Sequence, residues 1–129
     1  MIYLDTSVAL AHLFGEDRAP GDALWREPLV SSRLLQYELW NRLNARGGTA
    51  AMADAAWQLV NRLTIVELTP QVLDRALSPF PVPVRTLDAL HLATMDYLRR
   101  GGQQLEVATY DERLARAAQA LGVEPCPLP

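Results

Sequence analysis

Short apolar runs alternate with helical stretches from one end of the chain to the other, and this alternation limits the fold more than any other feature. Residues 1–4 (Met-Ile-Tyr-Leu) read as a buried strand. A helix follows from Thr6 or Ser7 to Phe14, stopped by Gly15. Asp17 to Trp25 reads as a second short helix, bounded by Pro20-Gly21. Leu29-Val30 is a strand candidate after Pro28. Ser31 or Ser32 caps a helix over about 33–46, where Leu35, Leu39 and Leu43 recur four apart. Gly47-Gly48 ends it, and an Ala-rich helix runs from Thr49 or Ala50 to about Leu63. Thr64–Leu68 carries β-branched residues and reads as a strand. Thr69-Pro70 opens a helix to about Leu77, with Pro at the first helical position. Ser78–Val84 holds Pro79, Pro81 and Pro83 and must be an extended loop. Thr86 caps a helix to about Arg100, closed by Gly101-Gly102. Leu105–Thr109 is a strand, Asp111–Leu121 a helix, and Val123-Glu124 a last edge strand. Strands alternating with helices predict an α/β fold with a mostly parallel sheet, formed as one domain over residues 1–129.

In such folds ligands bind beyond the carboxyl ends of the strands. Four acids stand at or near those ends or just inside the helices that follow: Asp5, Glu38, Asp88 and Asp111. Carboxylates gathered in a small space need cations to neutralise them, and a cluster that offers only oxygen suits Mg²⁺ or Mn²⁺. A metal-dependent hydrolase is the leading expectation. Each acid also has a plainer explanation. Asp5 before Thr6-Ser7 is an ordinary helix cap. Glu38 can pair with Arg42 one turn on, although its apolar neighbours suggest partial burial. Asp88 sits in a first turn, where the helix dipole favours acids. His91, one turn later, reads as a structural hydrogen-bonder rather than a ligand. Asp111 competes with Glu106 and Glu112 for its place. Asp54, Asp74 and Asp96 read as solvated helix faces.

Composition narrows the chemistry further. The formal net charge is −3 and the sequence pI about 5.3, so nothing in the total advertises a nucleic-acid binder; a local patch still sets the local field. All twelve basic residues are Arg. Lys-dependent mechanisms are therefore excluded, and any Arg near the cleft is suited to bidentate phosphate contacts. Arg33, Arg42, Arg46, Arg85 and Arg113 lie near the acids in sequence terms. The single Cys126 allows no internal disulfide and no Cys-based zinc site. The first residues show no signal-peptide pattern and no run approaches a membrane span, so a soluble, cytoplasmic protein is expected.

Four segments carry a resemblance: Met1-Ile2-Tyr3-Leu4-Asp5-Thr6-Ser7, Ser31-Ser32 leading to Glu38, Leu87-Asp88-Ala89-Leu90-His91-Leu92-Ala93, and Thr109-Tyr110-Asp111-Glu112-Arg113-Leu114. In this order and at this chain length the protein resembles the PIN-domain ribonucleases, most closely the VapC-type toxins of bacterial toxin–antitoxin pairs. The resemblance implies a three-layer α/β/α sandwich around a mostly parallel central sheet. It implies Asp5, Glu38, Asp88 and Asp111 as the metal-binding and catalytic acids, supported by Thr6 and Thr109. It further implies Mg²⁺ or Mn²⁺, cleavage of single-stranded RNA, a second copy of the chain and a cognate antitoxin as partners. Two rival classes stand beside it. One is a catalytically silent PIN-like domain that binds RNA or protein. The other is an aspartate-based phosphotransfer enzyme, which would call for a Lys and, in its phosphatase form, for an Asp at position 7.

Overall fold

The computed structural model describes residues 1–129. Five short strands form one sheet: β1 (Ile2–Leu4), β2 (Leu29–Ser32), β3 (Thr64–Val66), β4 (Glu106–Ala108) and β5 (Glu124–Pro125). Every pairing is parallel, and the order is β3-β2-β1-β4-β5. The chain steps one way from β1 through β2 to β3, then returns to the other side of β1 for β4. The switch point therefore lies between β1 and β4, where doubly wound folds open a crevice. Six helices connect the strands: α1 (Thr6–Phe14), α2 (Arg33–Ala45), α3 (Ala50–Asn61), α4 (Pro70–Leu77), α5 (Thr86–Arg100) and α6 (Glu112–Ala120).

The pleat sends alternate residues to opposite faces, and each face is covered. Ile2, Leu4, Leu29 and Ala108 join Val8, Leu35, Leu39 and Leu59 in one core. Tyr3, Val30 and Val107 join Leu92, Met95, Leu114 and Val123 in the other. Burial on both sides explains why β1 reads as an unbroken apolar run, and the result is the expected three-layer sandwich. Each fully buried Leu or Val contributes about 1.5–3 kcal/mol. Local chemistry sets the element ends. Ser32 accepts from Leu34 N at 3.0 Å, and Thr49 from Met52 N at 3.2 Å. Gly15 takes φ +60° to end α1. At the β5 edge Cys126 N donates to Val107 O at 2.7 Å. Pro125 and Pro127 flank it without N–H groups, so the outer side cannot template another strand.

Three expectations are corrected. Asp17–Trp25 is not a helix; it holds only a 3₁₀ turn at Leu24–Arg26, because Pro20-Gly21 interrupts the run before a turn can propagate. Thr86 is the first helical residue of α5, and the cap position belongs to Arg85, which makes no side-chain capping bond. Asp96 is fully buried rather than solvated. Its carboxylate accepts from Arg75 Nε at 2.6 Å and Arg99 Nη2 at 2.8 Å, with Arg100 Nε 3.1 Å away. The elements are otherwise where the sequence puts them, within two residues or so at their ends. No helix is long and apolar enough to cross a membrane.

Arg75 ties the Asp96 cluster to the loop that leads into α5. Its guanidinium donates to the carbonyls of Ser78 and Pro79 and lies 4.3 Å from the Phe80 ring centroid. Burial pushes the Asp96 carboxyl up, but the Arg75 and Arg99 hydrogen bonds and the Arg100 charge override it and hold the carboxyl below the usual range. A lowered carboxyl contributes stability above the ordinary carboxylate pKa, and that stability is lost as pH falls through the lowered value. Replacing Asp96 with Ala strands Arg75 beside an apolar layer, and removing one partner of a buried pair costs about 3–5 kcal/mol. Urea denaturation at neutral pH should show a loss of that size for Asp96→Ala and almost none for Asp74→Ala on the exposed face of α4. Equal losses in the two variants would refute the buried role.

Candidate functional site

The switch point brings the ends of β1 and β4 together. β1 and β4 run in register to Leu4 opposite Ala108, and Asp5 N extends the ladder to Ala108 O at 2.9 Å. Asp5 and Thr109 thus leave adjacent strand ends together. Asp5 caps α1 and is itself held by hydroxyls. Its Oδ2 accepts from Ser7 Oγ at 2.6 Å, Thr109 Oγ1 at 2.7 Å and Ser7 N at 3.3 Å. Thr109 Oγ1 also accepts from Asp111 N at 2.9 Å, and Ser7 Oγ from Tyr110 N at 3.0 Å. Each hydroxyl proton is committed to Asp5, so the 3.3 Å Ser7–Thr109 approach adds little. Asp111 caps α6 through Oδ1, which accepts from Arg113 N at 2.9 Å and Leu114 N at 3.2 Å.

Asp88 enters from the first turn of α5 and makes no protein hydrogen bond. Burial raises its carboxyl above the usual range, and the charges of Asp111 and Asp5 raise it further; His91 and Arg113 pull the other way. The charges of Asp5 and Asp111 therefore both reach Asp88. Glu112 is exposed and stands outside it.

Glu38 is half-buried on α2 and joins this group through a different route. Its Oε1 accepts from Thr6 Oγ1 at 2.9 Å and lies 2.5 Å from His91 Nε2. The expected Glu38–Arg42 pair is absent, because Thr6 and His91 take the carboxylate inward. His91 is buried, and its Nδ1 lies 2.7 Å from the Tyr3 hydroxyl. Burial first, and then Asp5, hold the Tyr3 phenol protonated far above its ordinary range. Tyr3, His91 and Glu38 thus form one continuous row of hydrogen bonds from the core of the sheet to α2. His91 is the structural hydrogen-bonder its position on α5 suggests.

One pattern unites the four acids. Asp5, Glu38 and Asp111 each spend one carboxylate oxygen on anchoring bonds and leave the other without a protein partner; Asp88 keeps both. No group of three or more His, Cys, Asp or Glu side chains is arranged to hold a metal ion, so the acids form no closed cage. The donor chemistry is nonetheless oxygen-only and anionic, the type that hard divalent cations take. Sequence reasoning missed Ser7 and Tyr3. Ser7 had a local signal, two residues after a capping Asp. Tyr3 had none.

Comparisons with known proteins agree with this architecture. The PIN domain family model matches residues 2–120. Among characterised proteins, Ribonuclease VapC46 of Mycobacterium tuberculosis is 35% identical over 127 residues, covering 95% of this chain and 93% of its own. Ribonuclease VapC47 from the same species is 32% identical over 129 residues, with the same coverage of each chain. Among solved structures, the M. tuberculosis sarcin–ricin-loop-cleaving toxin VapC20 superposes with a TM-score of 0.68 at 24% identity, covering 91% of this chain and 95% of that one. A toxin–antitoxin complex from Klebsiella pneumoniae gives 0.63 at 17% identity, covering 86% and 87%. With a family match along nearly its full length and relatives above 30% identity, the chain belongs to the PIN domain family.

Proposed function

We propose that this protein is a divalent-metal-dependent endoribonuclease that hydrolyses phosphodiester bonds in single-stranded RNA and acts as the toxin of a toxin–antitoxin pair. The observation that carries the chemistry is that Asp5 and Asp111, which follow the adjacent strands β1 and β4, both act on Asp88 in the first turn of α5, with carboxylate oxygens left free of protein partners. The ribonuclease names of the two M. tuberculosis relatives support the reaction. The resemblance to VapC-type toxins carries the partners: a cognate antitoxin and a second copy of the chain. A cytoplasmic site of action fits the same reading.

In this reading Asp5, Asp88, Glu38 and Asp111 would hold Mg²⁺ or Mn²⁺. Bound there, a divalent cation supplies Lewis acidity toward a phosphoryl oxygen and lowers the pKa of a water. The remaining work belongs to the chain. Ser7 and Thr109 fix Asp5 so that its free oxygen keeps one position. Thr6 and His91 do the same for Glu38, and such supporting bonds matter about 10–100-fold to metal sites. Asp111 takes the fourth place ahead of Glu112 because it is the acid that acts on Asp88. The phosphotransfer alternative loses ground, since Ser7 occupies the position where a second Asp belongs and its hydroxyl is committed to Asp5. The silent-domain alternative draws on the unclosed cage.

The deciding experiment is digestion of single-stranded RNA with Mg²⁺ or Mn²⁺, with EDTA as control. Asp5→Asn should reduce cleavage by more than the roughly 100-fold that supporting residues cost. Its circular dichroism spectrum should stay native, because Asn retains the capping oxygen. Wild-type rates in that variant would remove Asp5 from the site, and RNA binding without metal-dependent cleavage would establish the silent reading.

Asp88 gives a pH signature. Its raised carboxyl means that its contribution to stability is present below the ordinary carboxylate pKa and is lost as pH rises through the raised value. At neutral pH the charged side chain therefore strains the metal-free protein. In EDTA at neutral pH, Asp88→Asn should melt higher than wild type. Added Mg²⁺ should raise the wild-type melting temperature and move the variant much less. An unchanged melting temperature on the Asn substitution shows that Asp88 stands apart from its neighbours.

A further inference from the structure

A cavity of about 260 Å³ opens directly beside the acids, lined by Ser7, Leu10, Glu16, Arg18, Arg42 and Tyr110. We propose that it is a second phosphate subsite, which takes the RNA backbone at a nucleotide flanking the scissile bond. This assignment rests on the ribonuclease reading and extends it from the cleaved bond to the strand that leads away from it.

Position is the first support. Ser7 belongs to both places: its Oγ donates to Asp5 Oδ2 at 2.6 Å, and its side chain forms part of the cavity wall. The cavity therefore adjoins Asp5 through the Ser7 hydroxyl, on the side from which a strand bound at Asp5 would continue in this assignment.

Charge is the second. The arginines engaged with acids are Arg33, Arg75, Arg99 and Arg100. Arg18 and Arg42 are not among them, and both are exposed. Arg18 is held over the Tyr110 ring, 4.7 Å from its centroid, which orders the guanidinium without neutralising it. Glu16 is the one acid on the wall, so two cations face one anion in an otherwise acidic protein. A guanidinium pair beside a scissile-phosphate site suits bidentate contact with phosphodiester oxygens.

An unpaired hydroxyl is the third. Tyr110 Oη is the one buried side-chain polar atom in the protein without a hydrogen-bond partner. Leaving such a group unmade is costly, and these exceptions call for a functional account. Tyr110 lines the cavity, and a phosphate oxygen is the kind of acceptor its phenol lacks. Tyr110 also follows Thr109 and precedes Asp111, so the residue that lines the cavity sits between two residues of the site.

The test is a length series of fluorescein-labelled oligouridylates bound by the full chain in EDTA, where no cleavage occurs. Wild-type affinity should rise when the oligonucleotide is extended past the dinucleotide. Arg18→Ala and Arg42→Ala should each weaken binding of the longer strands about tenfold, the size of a hydrogen bond to a charged group. Each should also lower the slope of log affinity against log salt by about 0.7, the value for one lost single-strand phosphate contact. Tyr110→Phe distinguishes a ligand contact from a packing role: it should leave the melting temperature equal or higher, yet bind the longer strands more weakly. If the variants bind the longer strands with wild-type affinity and slope, the subsite is wrong while the ribonuclease reading stands. If wild type neither binds the series nor cuts RNA with Mg²⁺ or Mn²⁺, both fall together. If polyglutamate binds the cavity with the same sensitivity to Arg18 and Arg42 and RNA does not, the occupant is an acidic protein segment and the RNA assignment is overturned.

Discussion

A carboxylate set at the end of a buried parallel strand has to be held, or it will turn outward to water. Asp5 is held by three donors on one oxygen, and the rest of the site is arranged around that fact. The donors come from the first turn of α1 and from the residue after β4, so anchoring requires the two strands to be neighbours in register. Thr109 then passes the constraint on, since the oxygen that donates to Asp5 accepts the backbone N–H of Asp111. One hydroxyl therefore fixes the relative placement of two acids whose like charges both act on Asp88. The penalty of gathering them is met by hydrogen bonds that also cap helices, which is why the site adds few groups beyond those the fold already needs.

The opposite flank relies on a longer polar chain. Tyr3, His91, Glu38 and Thr6 come from β1, α5, α2 and α1, and they form a row of bonds through the middle of the protein. A phenol buried beside Asp5 keeps its proton, and both ring nitrogens of His91 are engaged, Nδ1 by Tyr3 and Nε2 by Glu38. Glu38 consequently remains an acceptor with a defined orientation, although its helix could have turned it toward Arg42 and solvent. A conformational choice on the surface of α2 is thus made by a residue in the core of the sheet.

The parts of this protein that can be read locally were legible in its sequence. Caps such as Ser32, Thr49 and Thr69 act over two or three residues, and Gly15 ends α1 by its own backbone. The four acids stood out because strand ends and helix starts are local features as well. Asp17–Trp25 failed for the converse reason: its helical composition is real, but Pro20-Gly21 leaves it too short to propagate. What remained hidden depends on pairs far apart in the chain. Asp96 resembles any i, i+3 and i, i+4 partner of Arg99 and Arg100, and only Arg75, arriving on α4, shows that it is buried. Tyr3 and His91 lie 88 positions apart, and no periodicity links them. Glu38 stood out as an acid, but its bonds to Thr6 and His91, 32 and 53 positions away, have no local signal.

Charge allocation explains how a chain with a net charge of −3 can face a polyanion. Its cations are all Arg, and several are kept in place by aromatic rings instead of carboxylates. Arg18 lies over Tyr110, Arg46 over Phe14 and Arg62 over Trp25. A planar guanidinium can be ordered this way and keep its charge and most of its donors, which a Lys ammonium does less well. Pairing with acids would order the same side chains but cancel the field they produce. Arg75 shows that other use: it is paired with Asp96 and serves packing, deep beside α5. The local potential around the carboxylates is therefore governed by how each Arg is held, and the total charge says little about it. A negative site for a cation and positive walls for a phosphate strand can then coexist within a few residues of one another.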